Sequence, residues 1–286
     1  MLTVLISGLA IGMLYASAAL VYNVMYSTSK VLSVTSGHLA MLGGVFGAWF
    51  VNTLQLPWGL GLLGGIAVGA LFGWLTEVLA IRRVLNRGED HLWLLSTLAL
   101  ATMVQQGVAL WWGTEPRPFP RLFEQNFSSG VLDQKFWLPI GMTVLMAIGL
   151  ELFYRRTMYG KLFMAMSEDA FAARARGVPT DRIRVMSYVL AGGLGGLAGF
   201  AAGQLTFAYF ALGLTLTLNG FIALAVGGLG SNLGALIGGT ALGLLSAFAS
   251  YWFGGEYQQT FAVGLLMVVL LVKPAGLYGS LKVRQV

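Results

Sequence analysis

Val185-Met-Ser-Tyr-Val-Leu-Ala-Gly-Gly-Leu-Gly-Gly-Leu-Ala-Gly199 opens a run that reaches Gly255, 71 residues without one charged side chain. A helix needs about 20 predominantly apolar residues to cross a bilayer, so this run has room for three crossings, near 185–206, 213–229 and 233–252. Further uncharged stretches cover 1–29, 39–76, 92–114, 136–150 and 257–272. Charged residues make up 10% of the chain against about 25% in soluble domains, and hydrophobic residues reach 57%. The chain therefore reads as an all-α polytopic membrane protein of about eight to nine transmembrane helices. A single transmembrane domain over 1–286 leaves no room for a soluble one. The first span, about 2–25, lacks a basic leader and reads as retained rather than cleaved. Other spans are expected near 38–54, 57–81, up to Trp112, 136–153 and 257–272.

The net charge of +6 belongs to the membrane and its lipids rather than to nucleic acid, because of where the basic residues lie. Lys30, then Arg82, Arg83 and Arg87, then seven residues within 154–184, then Lys273, Lys282 and Arg284 fall in alternate loops. Loops rich in Lys and Arg stay cytoplasmic. Arg117, Arg121 and Lys135 lie in the remaining long loop, diluted by Glu115, Glu124 and Asp133. Nine crossings with the N-terminus outside and the C-terminus in the cytoplasm satisfy this pattern. Cysteine is absent, so no disulfide framework or thiolate chemistry is available.

The loop 154–184 carries Arg155, Arg156, Lys161, Arg174, Arg176, Arg182 and Arg184. Within it a short helix is expected over 167–177. Ser167 is its cap, Glu168 and Asp169 complement the positive end of its dipole, and Arg174 suits its last turn. Gly177 supplies the left-handed stop before Pro179. A helix of about ten residues is marginal in water on its own, and Phe171 has little nearby chain to pack on. Two readings stand: a connector that docks into another protein, or an amphipathic helix on the membrane surface.

Two short spans share a pattern. Val34-Thr-Ser-Gly-His-Leu-Ala-Met-Leu-Gly-Gly44 and Leu218-Asn-Gly-Phe-Ile-Ala-Leu-Ala-Val-Gly-Gly228 each run from small or polar residues to paired glycines. They lie in opposite halves and, by the charge parity, run in opposite directions, as in an inverted repeat with short or broken helices. Half-helices starting at Thr35 and Asn219 would place Ser36, Gly37, His38, Asn219 and Gly220 on a translocation path, with free backbone N–H groups to meet a solute. Local capping by His38 is the competing view. The glycines of 192–199 read as close helix packing.

The missing chemistry narrows the function. No Asp, Glu, Lys or Arg falls at the middle of a span. Glu77 and Glu151 lie near span ends, within reach of the interface or of the pairs Arg82–Arg83 and Arg155–Arg156. An ion-driven carrier usually holds ionisable groups at the midplane. There is no phosphate-binding Gly-x-x-x-x-Gly-Lys-Ser/Thr loop. His38 and His91 are the two histidines, with no acidic cluster beside them, and no nucleophile–base pair stands out. This leaves a non-catalytic pathway protein with its energy source elsewhere, or a self-contained facilitative channel or secondary carrier for a small neutral solute.

Three stretches carry a resemblance: Ser7-Gly-Leu-Ala-Ile-Gly-Met-Leu-Tyr-Ala16; Gly160-Lys-Leu-Phe-Met-Ala-Met-Ser-Glu-Asp169 with Gly177-Val178; and Gly227-Gly-Leu-Gly-Ser-Asn-Leu-Gly-Ala-Leu-Ile-Gly-Gly239 with Leu271-Val-Lys-Pro-Ala-Gly-Leu277. The chain resembles the permease subunits of bacterial ABC importers for branched-chain amino acids, a family that includes importers of amides and urea. The resemblance implies an inner-membrane protein that pairs with a second homologous permease, two cytoplasmic ABC ATPases and an external solute-binding protein. It implies no cofactor in this chain, ATP and Mg being bound by the ATPases, and it makes 154–184 the coupling loop. Relatives commonly read Asn-Phe-Ala-His-Gly-Glu where this chain has Ser33-Val-Thr-Ser-Gly-His38, and some carry lysine where Asn219 stands. Solute identity does not carry over across those changes.

Overall fold

The computed structural model of the protein describes residues 1–85, 92–119 and 134–279. Arg87, His91, Arg121, Glu124, Asp133, Lys282 and Arg284 lie outside them. The helices are α1 Leu2–Ser29, α2 Ser36–Asn52, α3 Trp58–Thr76, α4 Arg82–Leu85, α5 Leu92–Trp112, α6 Gln134–Arg156, α7 Met158–Glu168, α8 Ala170–Ala175, α9 Thr180–Leu205, α10 Leu212–Gly227, α11 Asn232–Phe253 and α12 Gln258–Val272. A π-helical turn, Glu77–Ile81, joins α3 to α4 in one rod. Among the described residues seven helical rods are long and apolar enough to cross a membrane: α1, the α3–α4 rod, α5, α6, α9, α11, and α12 together with the 3-10 turn Gly255–Tyr257 that leads into it. The two short spans also fold as helices. At 17 and 16 residues, α2 and α10 each extend only about 25 Å.

Lipid removes the hydrophobic drive between helices, so close backbone contact has to supply the attraction. Glycines provide it here. On α3, Gly65, Gly69 and Gly73 face Gly192, Gly196 and the Tyr188 carbonyl of α9. On α2, Gly43 and Gly44 face Gly196 and Gly199. Gly65 also faces the Gly43 carbonyl of α2, so α2, α3 and α9 pack against one another as a trio around Gly196. A second seam joins Gly8 and Gly12 of α1 to Gly239, Gly243 and Ala247 of α11. The run 192–199 does serve packing. Outside these seams α5, α6 and α12 expose Met103, Leu145 and Met267, the apolar surface a bilayer requires.

Chain ends and loops satisfy the helix termini. Tyr278 and Leu277 donate backbone N–H groups to the Gly227 and Val226 carbonyls (2.8 and 2.9 Å), closing the C-terminus of α10 beside Lys273. Lys30 Nζ donates to the Ser167 carbonyl at 2.6 Å. These contacts belong to the basic end of the bundle, which also carries Arg82 and Arg155. At the opposite end Arg117 and Ala208 form an antiparallel bridge, and Phe119 packs edge-on against Phe200. There Asn52, the last residue of α2, donates to the Pro118 carbonyl. The helices α2 and α10 therefore run in opposite directions.

Two expectations are corrected. Ser167 is not a cap: it lies inside α7, its hydroxyl turned back to the Met164 carbonyl. Asp169 takes that role in an extended conformation, accepting from the Phe171 and Ala172 N–H groups at 2.9 and 3.0 Å. Asn219 does not start a half-helix. It sits mid-way along α10, where its amide donates to the Thr215 carbonyl one turn back. Glu77 does reach Arg82 of the expected pair, at 3.6 Å, but it is fully buried and its nearer partner is the unexpected Arg184, at 3.1 Å. Glu151 does pair with Arg155, its i+4 neighbour.

Substitutions on and off the seams have opposite signs. A methyl group at Gly199 meets the Ala40 carbonyl, whereas one at Gly149 meets open space. Gly199→Ala is expected to destabilise the protein by about 1–3 kcal/mol, as overpacking does. Gly149→Ala should be neutral or stabilising by up to about 1 kcal/mol, because alanine favours helix. Unfolding midpoints of both variants in one detergent check this, and an unchanged midpoint for Gly199→Ala would remove the seam from its assigned role.

Candidate functional site

The first turn of α2 is built against the first turns of α10. At Gly37 any side chain would strike the Gly213 carbonyl and the Thr217 N–H, so only hydrogen allows this approach. Gly213 in turn faces the His38 ring. The Thr217 hydroxyl donates to the Val34 carbonyl at 3.2 Å and lies 3.4 Å from His38 Nδ1. His38 Nε2 is 3.2 Å from the side-chain amide of Gln105 on α5. Tyr22 of α1 donates to the Thr217 carbonyl. Four helices thus meet in one buried polar cluster.

Proton bookkeeping orients the ring. Gln105 presents its oxygen to Nε2, so on a neutral ring Nε2 carries the proton and donates, and Nδ1 is the unprotonated nitrogen beside the Thr217 hydroxyl. Thr35, the residue before α2, makes no capping bond and pairs with Ser33 instead. The Ser36 hydroxyl is fully buried with no partner in hydrogen-bonding geometry, although the Tyr22 hydroxyl lies close enough to interact with it. The N–H groups of this helix start therefore have little side-chain competition.

Of the five residues expected on a path, Ser36, Gly37 and His38 come together with α10. Asn219 and Gly220 sit about a turn farther along it, Gly220 pressed on Ala18 of α1. All five are buried in helix contacts. Thr217 and Gln105 were missed. Each is a polar residue inside an uncharged span, Thr217 between two leucines and Gln105 next to Gln106, and that isolation was the available signal.

A cavity of about 770 Å³ opens instead at the basic end, bordered by Asn23, Lys30, Arg155, Ser167, Glu168 and Asn232 among others. Its rim includes the turn between α10 and α11. Gly228 and Gly230 adopt φ of 108° and 87° there, and Asn23 holds the turn by accepting from the Gly230 N–H at 3.0 Å. That conformation explains the glycines of the motif starting at Gly227. Beyond the cavity stands α8, ended by Gly177 at φ 85°. Phe171 on α8 is 83% exposed. Arg174 points back from the same helix, donating to the Thr180 hydroxyl at 3.1 and 2.9 Å.

The chain is similar over its whole length to known transport proteins. The family model for the permease component of branched-chain amino acid transport systems matches residues 4–270. The high-affinity branched-chain amino acid transport system permease protein LivH of Escherichia coli (strain K12) is 28% identical, over 98% of this chain and 96% of that protein. The permease protein BraD of the corresponding Pseudomonas aeruginosa system is 29% identical, over 99% and 97%. Among solved structures, PsaBC from Streptococcus pneumoniae in complex with Fab superposes with a TM-score of 0.54 at 13% identity, covering 96% of this chain and 92% of that one, a likeness of fold alone. With apolar helices throughout and a match spanning nearly all of them, the chain belongs to the permease component family of branched-chain amino acid transport systems.

Proposed function

We propose that the protein forms half of the translocation path of an ATP-driven importer for branched-chain amino acids or related small polar solutes. It would lie in a bacterial inner membrane with the N-terminus outside and the basic end in the cytoplasm. Beside it would stand a second permease, two ATPases and an external solute-binding protein, with ATP and Mg held by the ATPases. The observation that carries this reading is α8: a capped six-residue helix at the basic end that presents Phe171 to solvent. Exposing a phenyl ring is unfavourable, and an aromatic set in a groove of a partner is a common interface anchor. Ser167, Glu168, Asp169, Arg174 and Gly177 shape and orient that knob. The solute would pass where α2 and α10 meet. Backbone N–H groups at the start of α2 can bind a carboxylate or carbonyl without a charged side chain.

Phe171→Ala is expected to weaken ATPase association, or to uncouple hydrolysis from uptake, while the protein still inserts. Truncating a buried interface aromatic typically costs about 2 kcal/mol or more. Co-purified ATPase and solute uptake are the readouts, and normal values of both would sink the docking role. Orientation has its own test. A cysteine replacing Ala172 should react with impermeant reagents only from the cytoplasmic face; ready external labelling overturns it. The cluster has a third. Thr217→Val removes the hydroxyl between Val34 and His38, a loss of about 1–3 kcal/mol for groups left unpaired. Uptake by this variant should fall for every solute in a panel of amino acids, amides and small carboxylates. Wild-type uptake would place the path away from α2 and α10.

A further inference from the structure

A continuous line of charged groups leads from α8 into the membrane-spanning body. Arg174 of α8 bonds Thr180 and lies 4.0 Å from the Asp181 carboxylate, both in the first turn of α9. The same Asp181 oxygen is 3.2 Å from Arg184 Nη2, and Arg184 Nε is 3.1 Å from Glu77 Oε1. Arg82 reaches that oxygen at 3.6 Å from beyond the π-helical turn. Burial rises inward along the line: the Arg174 and Asp181 side chains are 67% and 63% exposed, Arg184 10% and Glu77 0%.

This pair is poorly explained as a device for stability alone. Burying two charges is costly unless every polar atom is satisfied, and an apolar pair of the same volume often serves as well. Here Glu77 Oε2 has no hydrogen-bond partner among the described residues, and Arg184 Nη2 approaches Asp181 without hydrogen-bonding geometry. The carboxylate also opens a π-helical turn, a distortion that recurs at functional positions in helices. One turn before it, Gly73 seats α3 on the Tyr188 carbonyl of α9. The Glu77–Arg184 bond fixes the register of this seam, so a push received at Thr180 and Asp181 is shared by both helices. From α9 the contact between Gly199 and the Ala40 carbonyl reaches α2, two residues beyond His38.

We infer that Glu77, Arg184 and Asp181 are positioning residues of the transport cycle, tying the docking helix α8 to the paired helices α3 and α9. The inference rests on the reading of α8 as the ATPase contact. It is tested on the assembled transporter in proteoliposomes by measuring solute taken up per ATP hydrolysed. Single Glu77→Gln or Arg184→Gln leaves a buried charge unpaired, and misfolding would mask the readout. The double variant Glu77→Gln/Arg184→Gln removes both charges and keeps the volume. It should approach wild-type thermal stability and co-purify with the ATPases, yet move about fivefold less solute per ATP, the lower range of coupling between distant sites. A purely structural pair predicts the opposite: recovered stability with a normal ratio, which overturns the proposal. If the double variant does not accumulate, Asp181→Asn, at an exposed position, reads the same ratio, and an unchanged value there overturns it too. Failure of the docking reading is separately visible, as undiminished ATPase assembly and uptake in Phe171→Ala.

Discussion

Contact between bare helix backbones is the constraint on which the rest of the structure depends. Lipid tails compete on equal terms with leucine for an apolar helix face, so large side chains alone give no preference for helix over lipid. Glycine changes the balance, since two helices without Cβ atoms at the crossing gain van der Waals contact along their whole seam. The 40 glycines of this chain are concentrated accordingly. Gly192, Gly196 and Gly199 recur at three- and four-residue intervals on one side of α9 and meet both α2 and α3. Gly239 and Gly243 do the same for α11 against α1.

Close approach makes the polar interior possible. Once backbones touch, water is excluded, and each hydroxyl or amide within the seams needs a partner from the protein. Neighbouring helices supply them. Thr28 meets Ser187 and Ser29 meets Tyr188, which ties α1 to α9; Asn23 meets Asn232, which ties α1 to α11. His38 joins α2 to α10 and α5 through Thr217 and Gln105. Such bonds add direction to contacts that packing leaves free to slide, so the register of each helix pair is fixed by a few side chains.

Much of the fold was legible because membrane spans announce themselves by length and charge. The expected segments 57–81, 136–153 and 257–272 correspond to helical rods within a few residues at each end. The site was less legible, for reasons visible in particular residues. Ser167 and Asp169 are both good caps by type, and only the chain direction set by α7 decides that Asp169 caps and Ser167 stays helical. Asn219 matched Thr35 by local pattern, yet the stretch from Leu212 to Leu218 is apolar enough to continue the helix above it. Glu77 lies five residues from Arg82, close enough in sequence to pair locally. Its nearer partner, Arg184, stands 107 positions away and enters through the α3–α9 seam. Pairings made by tertiary approach leave no trace in local spacing.

The same reasoning accounts for where charge is tolerated. An ionised side chain at the centre of a bilayer costs about 2.5–3.5 kcal/mol or more. Among the described residues Glu77 is the one fully buried carboxylate, and it sits near the basic end rather than midway. There it has Arg184 beside it and the half-exposed Arg82 between it and solvent. Deeper in the bundle the polar contacts are made by neutral groups, His38, Thr217 and Gln105. Neutral donors orient a dipolar solute at modest desolvation cost and hold no ion that must itself cross. The absence of midplane charge and the fixed ion pair at the basic end are thus two sides of one arrangement. On the proposed reading the path between α2 and α10 stays neutral, and the charges gather where force would enter from a partner.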